Sequence, residues 1–177
     1  MPMRFLVAVI ACFVLSAQLF AQKEKREPLT PAQIDQIRDT GGIPDERVKL
    51  FTKILNEHAD VIKGLTNRAK SAARATRLDG ELQDLTVLMD ELGTNLDEYS
   101  ERHSDIRPSL KSLSEAAPKW IHILRALAGE PGFDLSRKEA IESAEELADQ
   151  ATRLFTEEKD YFDLHKDERG QERAEPK

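Results

Sequence analysis

Apolar residues recur at alternating spacings of three and four along most of this chain, and that pattern restricts it to long helices that each bury a narrow stripe. The run Val48, Phe51, Leu55, His58, Ile62, Leu65, Ala69 and Ala72 keeps the spacing throughout, which is a coiled-coil seam rather than a broad globular face. A second seam in a different phase takes in Leu82, Leu85, Met89, Leu92, Leu96, Tyr99, His103, Ile106, Leu110, Leu113, Ala117, Trp120, Leu124 and Leu127. A third covers Ile141, Ala144, Ala148, Ala151, Phe155, Phe162 and His165, widened by Leu147, Leu154 and Tyr161. No segment alternates with period two for long enough to be a strand. The expected fold class is therefore all-α, an elongated antiparallel three- or four-helix bundle with coiled-coil-like seams and a short N-terminal helix.

Glycine and proline fall in groups at Gly41-Gly42-Ile43-Pro44, Asp79-Gly80 and Gly129-Glu130-Pro131-Gly132, and these groups predict the turns. The first helix spans about 30–40: Thr30 caps it, Gln33 reaches back to the Thr30 amide, Pro31 fits the first turn, and Leu29 staples onto Ile34. The second is expected from about Pro44 to Arg77. The next seam passes through Pro108 and Pro118 without losing phase, which favours one long, proline-kinked helix; a break at Pro108 gives the four-helix form instead. The last helix, about 136–166, is expected to open on a capping box from Ser136 to Glu139, with Glu142, Glu145 and Glu146 following where the helix dipole favours acids.

Arg4 precedes an uncharged apolar run from Phe5 to Phe20, and the run ends at Ala21 before a charged stretch. At about 16 residues it is shorter than the roughly 20 a spanning helix needs, and it has the layout of a secretory signal peptide cleaved near Ala21. The expected organisation is a signal peptide at 1–21, a flexible segment at 22–28, one helical-bundle domain at 29–166 and a charged, disordered tail at 167–177. That predicts an exported protein, periplasmic or secreted, with no membrane span in the mature chain. Cys12 is the sole cysteine, so the mature chain has no disulfide, thiol nucleophile or thiolate metal site.

The chain carries 26 Lys and Arg against 33 Asp and Glu, a net charge of −7. It lacks the basic excess that phosphate recognition needs, so no nucleic-acid partner is expected. HExxH, GxSxG, Walker and GxGxxG motifs do not occur, and carboxylates spread over helix faces are first of all solvated surface. No enzyme and no cofactor is expected. His58, His103 and His165 fall on seam positions at similar heights, with Tyr99 and Tyr161 near, and form the candidate metal-binding or proton-responsive cluster. No Glu-x-x-His pair accompanies them, which excludes a ferritin-like di-iron arrangement. His122 falls on the outer face. Trp120 is first a core anchor, yet a kink at the neighbouring Pro118 also makes it the candidate wall of a groove for a partner helix or apolar ligand.

Leu29-Thr30-Pro31-Ala32-Gln33 resembles the LTxxQ motif of the CpxP/Spy type of periplasmic stress chaperones. The match covers these five residues, and neither Leu65-Thr66 nor Leu85-Thr86 supplies the glutamine of a second copy. The resemblance implies a small exported all-helical protein without a catalytic site that binds unfolded clients. The residues themselves favour an exported, non-enzymatic bundle acting through protein–protein contacts, as an envelope scaffold or accessory subunit. A periplasmic chaperone and a ligand- or pH-sensing bundle are the alternatives. The partner is an unidentified protein, and a second copy completing a seam as a homodimer is a further possibility.

Overall fold

A computed structural model describes residues 27–169. The expected signal peptide, residues 22–26 and residues 170–177 lie outside the described residues. Five helices follow in order: α1 (Pro31–Asp39), α2 (Pro44–Thr66), α3 (Ala72–Glu101), α4 (Arg107–Ala126) and α5 (Asp134–Leu164), with a 3₁₀ turn at Lys166–Glu168. Among the described residues there is no strand, and no helix is long and apolar enough to cross a membrane.

The start of α1 is built as its sequence demands. Gln33 N donates to Thr30 Oγ1 at 3.3 Å, and Thr30 N donates to Gln33 Oε1 at 2.8 Å. Two of the amides that a helix start leaves unpaired are thereby satisfied. The chain then reverses through Gly41 and Gly42, both at positive φ (62° and 82°), where a side chain would be strained. Pro44 opens α2.

The next two helix ends differ from expectation. The second helix stops at Thr66 rather than Arg77, and α3 runs straight through Asp79-Gly80, the expected turn. Asp79 is held by its neighbours instead: its carboxylate accepts from Gln83 Nε2 (2.9 Å) and from Ser136 Oγ (2.6 Å). Leu78 and Leu82, on either side, are fully buried. The real turn, residues 67–71, is closed by side chains. Ser71 Oγ accepts from Arg74 N, and Arg74 Nε donates to Leu65 O at 2.9 Å, pairing a carbonyl that the end of α2 would otherwise leave open. Ala69 and Ala72 are consequently exposed rather than part of a seam.

The favoured continuous helix through Pro108 is also broken: α3 ends at Glu101 and α4 begins at Arg107. Pro108 sits in the first turn of α4, where its missing N–H and fixed φ cost nothing. The new helix start is capped from another element, because Ser109 N donates to Asp45 Oδ1 of α2 at 3.0 Å. The break falls at His103, which takes a positive φ of 52° and is the one residue of that seam left exposed. Tyr99, Ile106 and Leu110 around it remain buried, which is why the apolar phase survives the break.

α5 starts at Asp134, two residues before the expected box, after Phe133, which has no side-chain cap. Ser136 is buried and its hydroxyl is committed to Asp79, so Ser136 and Glu139 form no capping box. The expected tail begins in contact with α5: Tyr161 Oη donates to Glu168 (2.9 Å) and Arg169 Nε to Phe162 O (2.9 Å).

α2 packs on α3 and α4, α5 packs on α3 and α4, and α1 lies against α2; α3 and α4, although consecutive, do not pack together. The pairs Asp45–Ser109 and Trp120–Asn56 show α2 and α4 running the same way, and Asp79–Ser136, Asp90–Ser143 and Asp97–Gln150 do the same for α3 and α5. The core lies where the four longer helices meet, filled by side chains such as Phe51, Leu55, Leu85, Leu92, Leu113 and Phe162, all with no more than 1% exposure. On α5 the buried Ala140, Ala144 and Ala151 let its neighbours approach closely.

Two glycines test this packing. A Cβ at Gly64 of α2 would meet nothing, whereas one at Gly93 of α3 would lie 3.1 Å from Gln150 Oε1, whose amide donates to Gly93 O. Gly64→Ala should therefore raise stability by about 0.5–1 kcal/mol in chemical denaturation, and Gly93→Ala should give no gain. Equal gains at both positions would contradict the α3–α5 contact.

Candidate functional site

The three seam histidines do not come together. His58 of α2 faces α3, where its Nδ1 lies 3.1 Å from Glu81 Oε2. His103, just after α3, and His165, at the end of α5, lie together beyond the far end of α3, some twenty residues and about 30 Å along that helix from Glu81. There Tyr161 lies between them, its ring stacked on His103 at 3.8 Å and on His165 at 4.2 Å between centroids. The expected common height fails because it was counted from turns at Asp79-Gly80 and Gly129 along one unbroken helix, and both the turn and the continuity differ. Tyr99 is buried near this end, and His122 is exposed as expected. His58 also acquires carboxylate partners that a search for local Glu-x-x-His spacing does not find, because they arrive from another helix.

Beside Pro118 and Trp120 there is an open groove of about 510 Å³ between α2 and α4. Ala59, Pro118, Trp120 and Ile123 supply its apolar walls, with Asp60, Lys63, Lys119 and His122 at the rim. Trp120 is a core anchor and also lines this groove. Its side chain is 1% exposed and anchors the core, and its Nε1 donates to Asn56 Oδ1 at 2.7 Å across to α2. α4 continues as helix through Pro118, where the ring removes one backbone donor on the groove side of the chain. Among the described residues no ion pair engages Lys63 or Lys119.

A buried carboxyl was missed by sequence reasoning. Glu158 of α5 is 2% exposed, and it occupies the seam step between Phe155 and Phe162. Its spacing of three from Phe155 and four from Phe162 is the sequence signal that marks it. Burial pushes its carboxyl up to about 7; the nearby Asp105 and Glu157 add to the rise, while a hydrogen bond from Ser100 and the Arg107 guanidinium oppose it. Glu158 Oε2 and the neighbouring-loop Ser104 Oγ are buried with no hydrogen-bond partner among the described residues. Arg107 itself is turned aside, bound at 2.7 Å through both Nε and Nη2 to Asp105 and lying 4.6 Å over the Phe162 ring.

Comparison with known protein families, curated proteins and solved structures finds no match to this chain.

A carboxyl held above its unfolded value of 4.5 binds its proton more tightly in the folded protein. Its contribution to stability is therefore complete below about pH 4.5 and is lost as pH rises towards 7. At roughly 1.4 kcal/mol per unit, the loss is about 3 kcal/mol. Guanidinium denaturation at pH 5 and pH 8 should show Glu158→Gln losing less stability than the parent over that interval by about 2–3 kcal/mol. Identical pH slopes would contradict the burial of this group.

Proposed function

We propose that this chain is an exported, non-enzymatic protein that acts through protein–protein contacts, with the α2–α4 groove beside Trp120 as its contact site. The fold proposed for this role is an elongated antiparallel four-helix bundle, with α2 and α4 directed one way and α3 and α5 the other. Export is supported by the basic residue, apolar run and Ala21 at the N-terminus.

The observation that carries the reading is the chemistry of the groove. Its walls are apolar, and at its rim Lys63 and Lys119, on the two opposing helices, outnumber the single carboxylate of Asp60. Apolar walls reward burial of a side chain at about 25 cal/mol per Å², and two cations at the rim select what flanks that side chain. The fitting partner is an amphipathic segment that presents a large apolar residue between carboxylates. This is helix-in-groove recognition, in which a few anchors supply affinity and rim charges supply selectivity.

A photo-crosslinking residue placed at Ile123, with the exposed Val87 of α3 as the control position, tests this in the exporting cell. The expected result is a discrete adduct with one separate protein from position 123, reduced about tenfold when Lys63→Glu and Lys119→Glu are combined in a variant of unchanged helicity. Adducts with many unrelated unfolded proteins would overturn this reading in favour of a chaperone. The same adducts from both positions, or none, would also overturn it.

A further inference from the structure

We propose that His58, Glu81 and Asp84 form a zinc site that bridges α2 and α3. Each residue presents one donor atom, and the three donors lie within 4.8 Å of one another. Two helices build the set. Glu81 and Asp84 are three residues apart and so share one face of α3, and His58 meets that face from the antiparallel α2.

One edge of the set already matches what a tetrahedral ion requires, and the third donor lies within 4.8 Å of both. With bonds of about 2.0–2.1 Å to nitrogen and oxygen, neighbouring ligand atoms of a tetrahedral zinc sit about 3.3 Å apart. His58 Nδ1 and Glu81 Oε2 are already 3.1 Å apart, so an ion can replace the proton between them with small side-chain adjustments. The setting favours a cation as well. His58 and Glu81 side chains are each 13% exposed and Asp84 is 6% exposed, which places two carboxylates against one imidazole in a partly water-excluded seam.

The donor set also selects the ion. One imidazole nitrogen and two carboxylate oxygens suit zinc with water as the fourth ligand, whereas calcium asks for six to eight oxygens and magnesium for an octahedron of them. Binding releases the proton held between His58 and Glu81. His103 and His165, which the sequence grouped with His58, take no part.

Calorimetric titration of the full mature chain, stripped with chelator, with zinc chloride tests the assignment. Expected are one zinc per chain, proton release that scales with buffer ionisation, and no binding of calcium or magnesium. Affinity should fall at least about tenfold in His58→Gln and in Asp84→Asn and stay unchanged in His165→Gln. Thermal unfolding with chelator present reports whether each variant is folded, and a spectrum of the cobalt-substituted parent gives a readout independent of the variants. Zinc binding that His58→Gln leaves intact, six-coordinate cobalt without imidazole ligation, or no zinc bound by the parent at 100-fold excess would each overturn the proposal.

Discussion

Arg74 ties three separate pieces of the chain together. Its guanidinium, 8% exposed, donates to Leu65 O at the end of α2 and pairs at 3.0 Å with Glu130 in the connection between α4 and α5, while its own amide is capped by Ser71. A buried guanidinium is tolerated only when its donors are met. Here meeting them fixes where α2 stops, where α3 starts and how closely the α4–α5 connection lies against both. Lys70 adds a second, solvent-exposed cation at Glu130, 3.4 Å away. Asp79–Ser136 locks the adjoining starts of α3 and α5 in the same region.

The opposite end of the molecule is polar as well. Asp45 caps α4, Asp105 grips Arg107, and Tyr161 reaches Glu168. Between these ends the four helices meet mainly through apolar side chains, among them Phe51, Ile54, Leu85, Met89 and Leu113, crossed by the Trp120–Asn56, Ser143–Asp90 and Gln150–Gly93 hydrogen bonds. Apolar packing supplies most of the stabilisation but is non-directional and specifies register weakly; the polar contacts at each end choose which helix neighbours which. The consecutive helices α3 and α4 are kept apart by this arrangement, and α2 and α4 are brought side by side. The Trp120 groove exists because of that pairing.

The apolar seams were legible in the sequence because a helix face repeats locally. Nearly every aliphatic residue placed on one, from Val48 to Leu124, is in the core. The Thr30–Gln33 cap was legible for the same reason, since all its parts lie within four residues. The end of α2 at Thr66 and the start of α4 at Arg107 were not, because the groups that stabilise them, Arg74 on Leu65 O and Asp45 on Ser109 N, come from other elements. Asp79-Gly80 looked like a turn until Ser136 supplied Asp79 with a partner 57 positions away. Among the candidate residues, the groove beside Pro118 and Trp120 could be placed from local sequence. The partners of His58 and the burial of Glu158 depend on helix pairing, which periodicity alone does not contain.

The side-by-side placement of α2 and α4 is the claim on which the proposed contact site rests, and the single tryptophan makes it directly measurable. A nuclear Overhauser spectrum of the labelled protein isolates one indole N–H. The account predicts cross-peaks from that proton to Asn56 and Ala59 of α2, with slow exchange against solvent. An indole proton that exchanges freely and sees only residues of its own helix would contradict it.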